Sequence, residues 1–350
     1  MMAEAPVRIG FIGAGGIARQ RHLPGLKAVP GVTLAAIANR HRASAEKVAA
    51  EYGFESVCDR WEDVVARSDV DAVFIAAPPY LHREATLAAL AAGKHVFCQA
   101  RLARNYAEAR EMYEAARGSD RVTMICPPPH ALRGDNLMKK LIGEGYLGQL
   151  REVHVHSLAD TYADATAPLH WRQDSFISGI NTQNLGMLAE VVHRWVGHFR
   201  QISAMAAYHV PRRRKEGLLQ EVAVDIADSL GIVGTMRNGA LGVFHFSGST
   251  YHGGENRIEL YGSQGTLVYP VVSHRILGAK AGERELKPID IPPELVREWQ
   301  AEAEFVNAIR HGGPVSPDFE EGLRYMEFTE AVYRSARSGR AITLPLEPEA

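Results

Sequence analysis

Short apolar runs alternate with helical segments along the first third of the chain. The runs have the length of buried strands and occupy residues 7–12, 32–38, 71–77 and 95–98. Between them, segments with alanines at helical spacing begin at residues 43, 61 and 84. Strands that alternate with helices of this length predict right-handed βαβ units and a parallel, doubly wound sheet, which is an α/β fold. A ligand of such a sheet lies at the carboxyl ends of the strands.

The pattern changes at Pro127-Pro128-Pro129. Three consecutive prolines can continue neither a helix nor a central strand. We therefore predict a domain boundary here, between residues 1–127 and residues 128–350.

Alternation of apolar and polar residues is typical of the second domain. It is found in residues 153–156, 202–210, 222–236, 241–246, 257–262 and 265–269. Arg237-Asn238-Gly239 is a strong hairpin signal, and helices are predicted over residues 299–309 and 319–336. This pattern predicts an α+β domain with an open, mostly antiparallel sheet. Because a long exposed sheet face usually needs covering, we expect a homodimer or homotetramer.

Composition narrows the class of protein. A chain of 350 residues is long for one core, and a net charge of -2 gives no indication of a nucleic-acid or acidic-surface partner. The sequence shows neither a secretion signal nor an apolar run of roughly 18 residues, so we expect a cytoplasmic protein that does not bind membranes. Cys58, Cys98 and Cys126 are scattered without metal-ligand spacing, and we therefore predict no metal site.

The most informative stretch is Gly13-Ala14-Gly15-Gly16-Ile17-Ala18, which follows the first strand and opens a helix. This is the context in which a G-x-G-x-x-G/A pattern indicates dinucleotide binding. Gly13 would make the turn, Gly15 would let the backbone approach a pyrophosphate, and Ala18 would let the helix pack on the strand. We predict that Gly13, Ala14, Gly15, Gly16 and Ile17 hold the phosphates at the helix N-terminus.

The second strand ends in Asn39-Arg40, where an acidic residue normally binds the ribose hydroxyls of NAD. A neutral amide followed by a guanidinium suits a phosphorylated ribose better. The sequence therefore favours NADP over NAD, with NAD as the alternative. These two residues can also be read as an ordinary helix start.

Several stretches resemble the Gfo/Idh/MocA family of sugar and cyclitol oxidoreductases over nearly the whole chain. Besides the glycine turn, they lie at residues 76–82, 91–96, 258–262 and 304–310. The resemblance implies a Rossmann domain and an open-sheet substrate domain, with NAD or NADP between them. It also implies that the cofactor contacts are Ala77, Pro78, Pro79, His82, Gln99, Trp171 and Arg172.

The departures from this family concern proton transfer. Where the family has Glu-Lys-Pro, this chain has Gln99-Ala100-Arg101, and the family's Asp-x-Gly-x-His aligns with residues 184–188, which begin with Asn184 and end with Leu188. General acid–base groups are typically worth about 10² to 10⁴ in rate, so the usual relay must be replaced. The candidates for catalysis are His130, His170, Asn184 and Gln99.

Substrate contacts are predicted for Arg101, Asn184 and Tyr162. An inward Arg101 would present planar donors to a carboxylate or phosphate, which predicts an anionic or acid-sugar substrate. The alternative is that Arg101 turns outward to solvent.

These observations predict an NAD(P)-dependent oxidoreductase that acts on a sugar, cyclitol or related polyol through a rearranged proton relay. One alternative keeps the nicotinamide bound and uses transient oxidation to drive elimination or glycosidic cleavage. The other is a catalytically silent relative that senses a ligand.

Overall fold

The structure, a computed structural model, describes residues 6–126 and 132–347. The chain divides into two compact units, Met1–Pro127 with Gln300–Leu323, and Pro128–Trp299 with Arg324–Ala350. The predicted boundary puts residues 300–323 in the second domain, but they belong to the first unit. Among the described residues, no helix has the length and apolar character that crossing a membrane requires.

The first unit is built on a six-stranded parallel sheet with the order β3-β2-β1-β4-β5-β6. Its strands are β1 (Val7–Ile12), β2 (Val32–Ala38), β3 (Ser56–Val57), β4 (Ala72–Ile75), β5 (His95–Cys98) and β6 (Thr123–Ile125). Its helices are α1 (Leu23–Ala28), α2 (Arg42–Tyr52), α3 (Trp61–Ala66), α4 (His82–Ala91), α5 (Tyr106–Arg117) and, returning from the far end of the chain, α9 (Ala301–His311). The predicted doubly wound sheet is confirmed. Its strand order reverses between β1 and β4, which is where such sheets bind their ligands.

Stacked aromatic rings explain why the segment after residue 300 belongs to this unit. Phe74 on β4 and Phe97 on β5 lie parallel, with ring centroids 4.4 Å apart. Phe305 of α9 packs edge-on against both, at 5.4 and 5.6 Å. All three are almost completely buried. Helix α9 therefore completes the hydrophobic core of the parallel sheet, and a linear reading of the chain cannot show this.

The second unit contains a nine-stranded sheet with the order β16-β15-β14-β13-β7-β12-β11-β8-β17. Its strands are β7 (Leu150–Leu158), β8 (Phe199–Ala207), β11 (Ser229–Met236), β12 (Leu241–Ser247), β13 (Arg257–Gly262), β14 (Gly265–Pro270), β15 (Ile276–Lys280), β16 (Lys287–Ile289) and β17 (Ile342–Thr343). A separate hairpin pairs β9 (Arg212–Arg214) with β10 (Glu221–Ala223). The helices are α6 (Asp135–Gly143), α7 (Ser175–Ser178), α8 (Leu185–Val196) and α10 (Phe319–Ser338), the first turn of which lies in the first unit.

Every pairing in the large sheet is antiparallel except that of β7 with β12, so the predicted open, mostly antiparallel sheet is confirmed. The single strand predicted over residues 222–236 is instead divided into β10 and β11. The division lies at Asp228, whose buried carboxylate accepts hydrogen bonds from the backbone N–H groups of His209 and Val210, at 2.7 and 3.0 Å.

The two faces of the sheet differ in character. On the inner face, Phe328 of α10 stacks on Phe199 of β8 and contacts Phe244 of β12, with centroids 5.1 and 5.8 Å apart. On the opposite, outer face, β7 presents His154 and His156, because successive side chains of a strand alternate between faces. Helix α10 therefore packs on the inner face, whereas His154 and His156 on the outer face are partly exposed.

Candidate active site

The glycine turn connects β1 to the helix that follows. Gly13 has a φ of +84°. A Cβ atom at this position would lie 2.5 Å from both the Cα and the backbone nitrogen of Ala77. Only glycine fits, because a side chain would collide with the backbone of the neighbouring loop. The structure therefore brings together two predicted cofactor positions, the turn after β1 and the loop after β4.

Gly15 and Gly16 leave open space beside the turn. A Cβ atom at either residue would have no neighbour among the described atoms within 4 Å, and both glycines are exposed. Ala18 is fully buried, which lets the helix pack closely on β1. The turn has room for a pyrophosphate at the first free amides of the helix.

The end of β2 is tied to the glycine turn through Asn39. Its Oδ1 accepts a hydrogen bond from the Ala14 N–H at 2.7 Å, and its Nδ2 donates to Ser44 Oγ at 3.2 Å. Arg40 is exposed and makes no side-chain hydrogen bond or ion pair within the described part of the chain. Arg42, by contrast, is paired with Glu46 and Asp59, at 2.9 and 2.6 Å. Of these two arginines, Arg40 has the uncommitted guanidinium.

The loop after β4 contains Pro78 and Pro79 and leads into His82, the first residue of α4. His82 lies beneath this loop and is fully buried, with Nε2 2.7 Å from the Ala77 carbonyl oxygen and Nδ1 2.9 Å from that of Arg101. Burial lowers the pKa of His82, although the carbonyl groups oppose this effect. The ring therefore links the loops after β4 and β5 and positions their backbone.

A buried contact that the sequence does not indicate lies at the end of β5. His22, at the end of a π-helical turn (Ala18–His22), has Nδ1 2.5 Å from Glu302 Oε1 and Nε2 2.7 Å from Gln99 Oε1. Burial opposes a charge on this ring, but hydrogen bonds to Cys126 and Glu302 outweigh it and raise the pKa of His22 to about 10. The carboxamide of Gln99 thus contacts an imidazolium.

Two features of the sequence accompany this contact. Gly25 lies in α1, and a Cβ atom there would come within 2.5 Å of Glu302 Oε2. His22 and Glu302 each lie in a segment with an apolar helical pattern, where a buried polar residue is unusual. Neither feature indicates that the two residues meet, because 279 residues separate them along the chain.

Arg101 follows Gln99 and Ala100 after β5. Its side chain is only 7% exposed, so the alternative in which it turns to solvent is wrong. The peptide bond between Ala100 and Arg101 is cis.

In the second unit, His170 and Tyr162 lie together, with ring centroids 5.9 Å apart. Nδ1 of His170 accepts a hydrogen bond from the backbone N–H of Arg172 at 3.2 Å. Burial, and then the charge of Arg172, lower the pKa of His170, which favours the neutral ring. Since Nδ1 accepts a hydrogen bond, the neutral ring has its proton on Nε2.

Contacts with Arg213 and Gly248 constrain the segment that carries Tyr162. The buried guanidinium of Arg213 donates to the carbonyl oxygens of Tyr162 and Asp164, at 2.6 and 2.7 Å. A Cβ atom at Gly248 would lie 2.5 Å from Tyr162 Cδ2 and 2.3 Å from Gln183 Nε2. The side chains of Tyr162 and Gln183 therefore both pack against Gly248. Gln183 is the residue immediately before Asn184.

Asn184 lies immediately before α8 and is partly exposed, whereas Leu188 on the first turn of the helix is 2% exposed. Next to His170, the guanidinium of Arg172 lies 4.2 Å from the centroid of the Trp171 ring. His130 lies outside the described residues. The structure thus brings together Tyr162, His170, Trp171 and Arg172, and it places Asn184 beside Gln183.

Comparison with known proteins identifies the family. A family model described as the NAD-binding Rossmann fold of an oxidoreductase family matches residues 7–126, and the model of its C-terminal alpha/beta domain matches residues 139–344. The chain belongs to the Gfo/Idh/MocA family. The resemblance seen in the sequence is confirmed, and this family member is an NAD-dependent oxidoreductase.

Relatives of this Gfo/Idh/MocA protein match along most of its length. A levoglucosan dehydrogenase of Pseudarthrobacter phenanthrenivorans is 27% identical over 88% of this chain and 89% of the relative. A 1,5-anhydro-D-fructose reductase of Ensifer adhaerens is 30% identical over 95% and 97% of the two chains. A structure of levoglucosan dehydrogenase in complex with NADH and L-sorbose superposes with a TM-score of 0.87, at 25% identity, and covers 97% of this chain and 99% of that one.

Proposed function

We propose that this protein oxidises a hydroxyl group of a sugar or cyclitol, or reduces the corresponding carbonyl, with a nicotinamide dinucleotide held on the Gly13 turn. The close approach of Gly13 to Ala77, beside the open space at Gly15 and Gly16, is the observation that carries this proposal. The relatives named for levoglucosan and 1,5-anhydro-D-fructose support a sugar substrate. When bound, the cofactor supplies the hydride acceptor or donor, and the protein must orient the substrate and manage one proton.

His170 is the residue that we propose orients the substrate oxygen. Its Nδ1 is occupied by the Arg172 N–H, so the neutral ring presents Nε2–H as a donor. A fixed donor aimed at a carbonyl or alkoxide oxygen stabilises the charge that develops there during hydride transfer. The loop held by Arg213 and the neighbouring Tyr162 keep this ring in place.

We expect His170→Ala to lower kcat/KM by roughly 10²- to 10³-fold, the typical effect of removing one such donor. Steady-state kinetics with the best sugar substrate measures this. His170→Gln, which keeps an N–H donor, should recover part of the loss. His209→Ala removes a histidine beyond the end of β8 and serves as the control. A kcat/KM in His170→Ala equal to that of wild type would contradict the role.

Arg40 supports a proposed preference for NADP. Its uncommitted guanidinium lies one residue beyond Asn39, at the β2 end where the adenosine ribose binds in this fold. We expect Arg40→Ala to weaken NADPH binding about ten- to a hundredfold, the value of one charge-assisted hydrogen bond, and to leave NADH binding unchanged. Fluorescence titration with both cofactors measures this.

The matched control is Arg42→Ala, because Arg42 is already paired with Glu46 and Asp59. It should leave both affinities close to those of wild type. If Arg40→Ala lost the same factor of affinity for NADH as for NADPH, this would contradict a role for Arg40 in recognising the 2′-phosphate.

The substrate is tested with a panel of neutral sugars, cyclitols and sugar acids supplied with oxidised cofactor. We propose an anionic sugar, because Arg101 is a buried cation next to the end of β5. Sugar acids should then give the highest kcat/KM, and Arg101→Ala should raise KM for acids more than for neutral sugars. An unchanged KM in Arg101→Ala would remove the anionic preference and leave the oxidoreductase function intact.

The same assay separates the two other functions that the sequence left open. Reduced nicotinamide that accumulates one for one with product is the expected result. Product without net change of cofactor would indicate transient oxidation that drives elimination or glycosidic cleavage. Binding of cofactor without turnover of any member of the panel would indicate a sensor.

We also propose that two or four copies assemble through the outer face of the nine-stranded sheet. Met205, Val233 and Leu241 lie on this face and are 80%, 48% and 41% exposed. Their strands are neighbours in the sheet, so these side chains form one apolar surface. Light scattering measures the mass of the assembly.

A further inference from the structure

Two neighbouring strands of the second unit place histidine and carboxylate side chains together on the outer face of the sheet. His154 and His156 alternate with buried valines along β7. Antiparallel pairing with β13 sets Glu259 directly opposite His154. This cluster takes no part in the proposed oxidoreductase chemistry, and it lies on the same outer face through which we propose that copies assemble.

The three side chains converge on one point. Glu259 Oε2 is 3.9 Å from His154 Nδ1 and 3.7 Å from His156 Nε2. One ligand atom from each residue lies within 4.8 Å of the other two. These separations exceed the 2.7–3.2 Å of an ordinary hydrogen bond, so hydrogen bonding between the histidines and the carboxylate does not account for the arrangement.

The spacing suits a metal ion instead. Zinc binds histidine nitrogen at about 2.0–2.1 Å and carboxylate oxygen at about 2.0–2.2 Å, which sets tetrahedral ligand atoms about 3.4 Å apart. Small side-chain rotations bring the three atoms to that separation. Two imidazoles and one carboxylate form a donor set that late first-row divalent cations prefer to the oxygen-only sets of calcium and magnesium.

Surrounding side chains orient the three groups. Nε2 of His154 lies 2.7 Å from Glu152 Oε2, which holds the ring proton on Nε2 and turns the Nδ1 lone pair toward Glu259. The hydroxyl of Tyr261 donates to Glu259 Oε2 at 2.9 Å, and Nε of Arg257 donates to Oε1 at 2.6 Å. Carboxylate–histidine pairs of this kind typically fix metal-ligating imidazoles.

We propose that His154 Nδ1, His156 Nε2 and Glu259 Oε2 bind a divalent transition-metal ion, with zinc as the representative cation. Three protein ligands leave at least one coordination position for water or another group. The site lies on the outer face of the nine-stranded sheet. The expectation of no metal site rests on cysteine spacing, whereas these ligands are histidine and glutamate side chains from strands about a hundred residues apart.

The test is a calorimetric titration of the full-length, chelator-treated protein with Zn²⁺. We expect saturable binding of one ion per chain. His154→Ala and His156→Ala should each weaken it at least about tenfold, and Glu152→Gln should weaken it about 10- to 100-fold by removing the partner that orients His154. His209→Ala should bind as wild type does. Zn²⁺ should also raise the Tm of the wild type and not that of His156→Ala.

Unfolding of the metal-free variants is measured alongside the titration. Where an alanine variant fails to fold, His156→Gln or Glu259→Gln replaces it, since both keep the size of the side chain. The proposal is overturned if the wild type shows no saturable binding, or if folded variants at His154 and His156 keep wild-type affinity. Cofactor binding and sugar turnover do not depend on this outcome.

Discussion

Gly13→Ala is expected to weaken NADH binding by at least about a hundredfold. Alanine at a φ of +84° costs about 1–2 kcal/mol, and its Cβ would lie 2.5 Å from two backbone atoms of Ala77. The loop after β4 must therefore move away from the turn, and both are predicted to contact the cofactor. Fluorescence titration with NADH measures the affinity, and circular dichroism monitors the fold.

Gly53→Ala is the matched control for backbone strain. Gly53 has a φ of +83° at the end of α2, and a Cβ atom there has no described atom within 4 Å. The Gly53→Ala variant should have a lower free energy of unfolding and an unchanged affinity for NADH. Gly15→Ala tests the open space beside the turn without a collision with a neighbouring residue. Its Cβ would enter that space, so the affinity for NADH should fall while the free energy of unfolding changes little. Wild-type affinity in Gly13→Ala would show that the turn does not hold the cofactor.

Glu302→Ala is expected to lower the free energy of unfolding by about 3–5 kcal/mol, the cost of leaving a buried charge without its partner. His22 is completely buried and its Nδ1 lies 2.5 Å from Glu302 Oε1. Urea unfolding followed by circular dichroism measures the change. Glu302→Gln keeps an oxygen acceptor and should cost less. A loss below 1 kcal/mol in Glu302→Ala would mean that His22 is neutral in the folded protein.

The same pair predicts how stability depends on pH. The pKa of His22 is raised by folding from its ordinary value of 6.5 to about 10. Its contribution is therefore fully present below pH 6.5 and is lost as the pH rises through about 10. Between pH 7 and pH 10, the wild type should lose a few kcal/mol more unfolding free energy than His22→Gln does. Parallel pH profiles for the two proteins would contradict this assignment.

The sequence predicts those parts of the fold that local patterns determine. The apolar runs at residues 7–12 and 32–38 are β1 and β2, and the glycine turn between β1 and its helix has the positive φ that the fingerprint requires. Strand β3 has two residues and β6 has three, which is too short to give a pattern. The division between β10 and β11 depends on hydrogen bonds to the Asp228 side chain, which apolar alternation does not reveal.

Contacts between distant segments could not be predicted in the same way. Helix α9 joins the first unit because Phe305 packs on Phe74 and Phe97, and the same helix brings Glu302 to His22. The sequence predicts a substrate contact for Tyr162 and a catalytic role for His170, but it does not show that their rings lie 5.9 Å apart or that the Arg172 amide donates to His170 Nδ1. For His82, the sequence predicted a cofactor contact, and the structure shows a buried ring that links two loops.

Calorimetric titration of the wild-type protein with NADH and with NADPH is the direct test for a dinucleotide on the Gly13 turn. We expect saturable binding of one dinucleotide per chain for at least one of the two cofactors. If neither cofactor produces heat, and neither changes the fluorescence of the protein, then the turn after β1 is not a dinucleotide site and the proposed function is wrong.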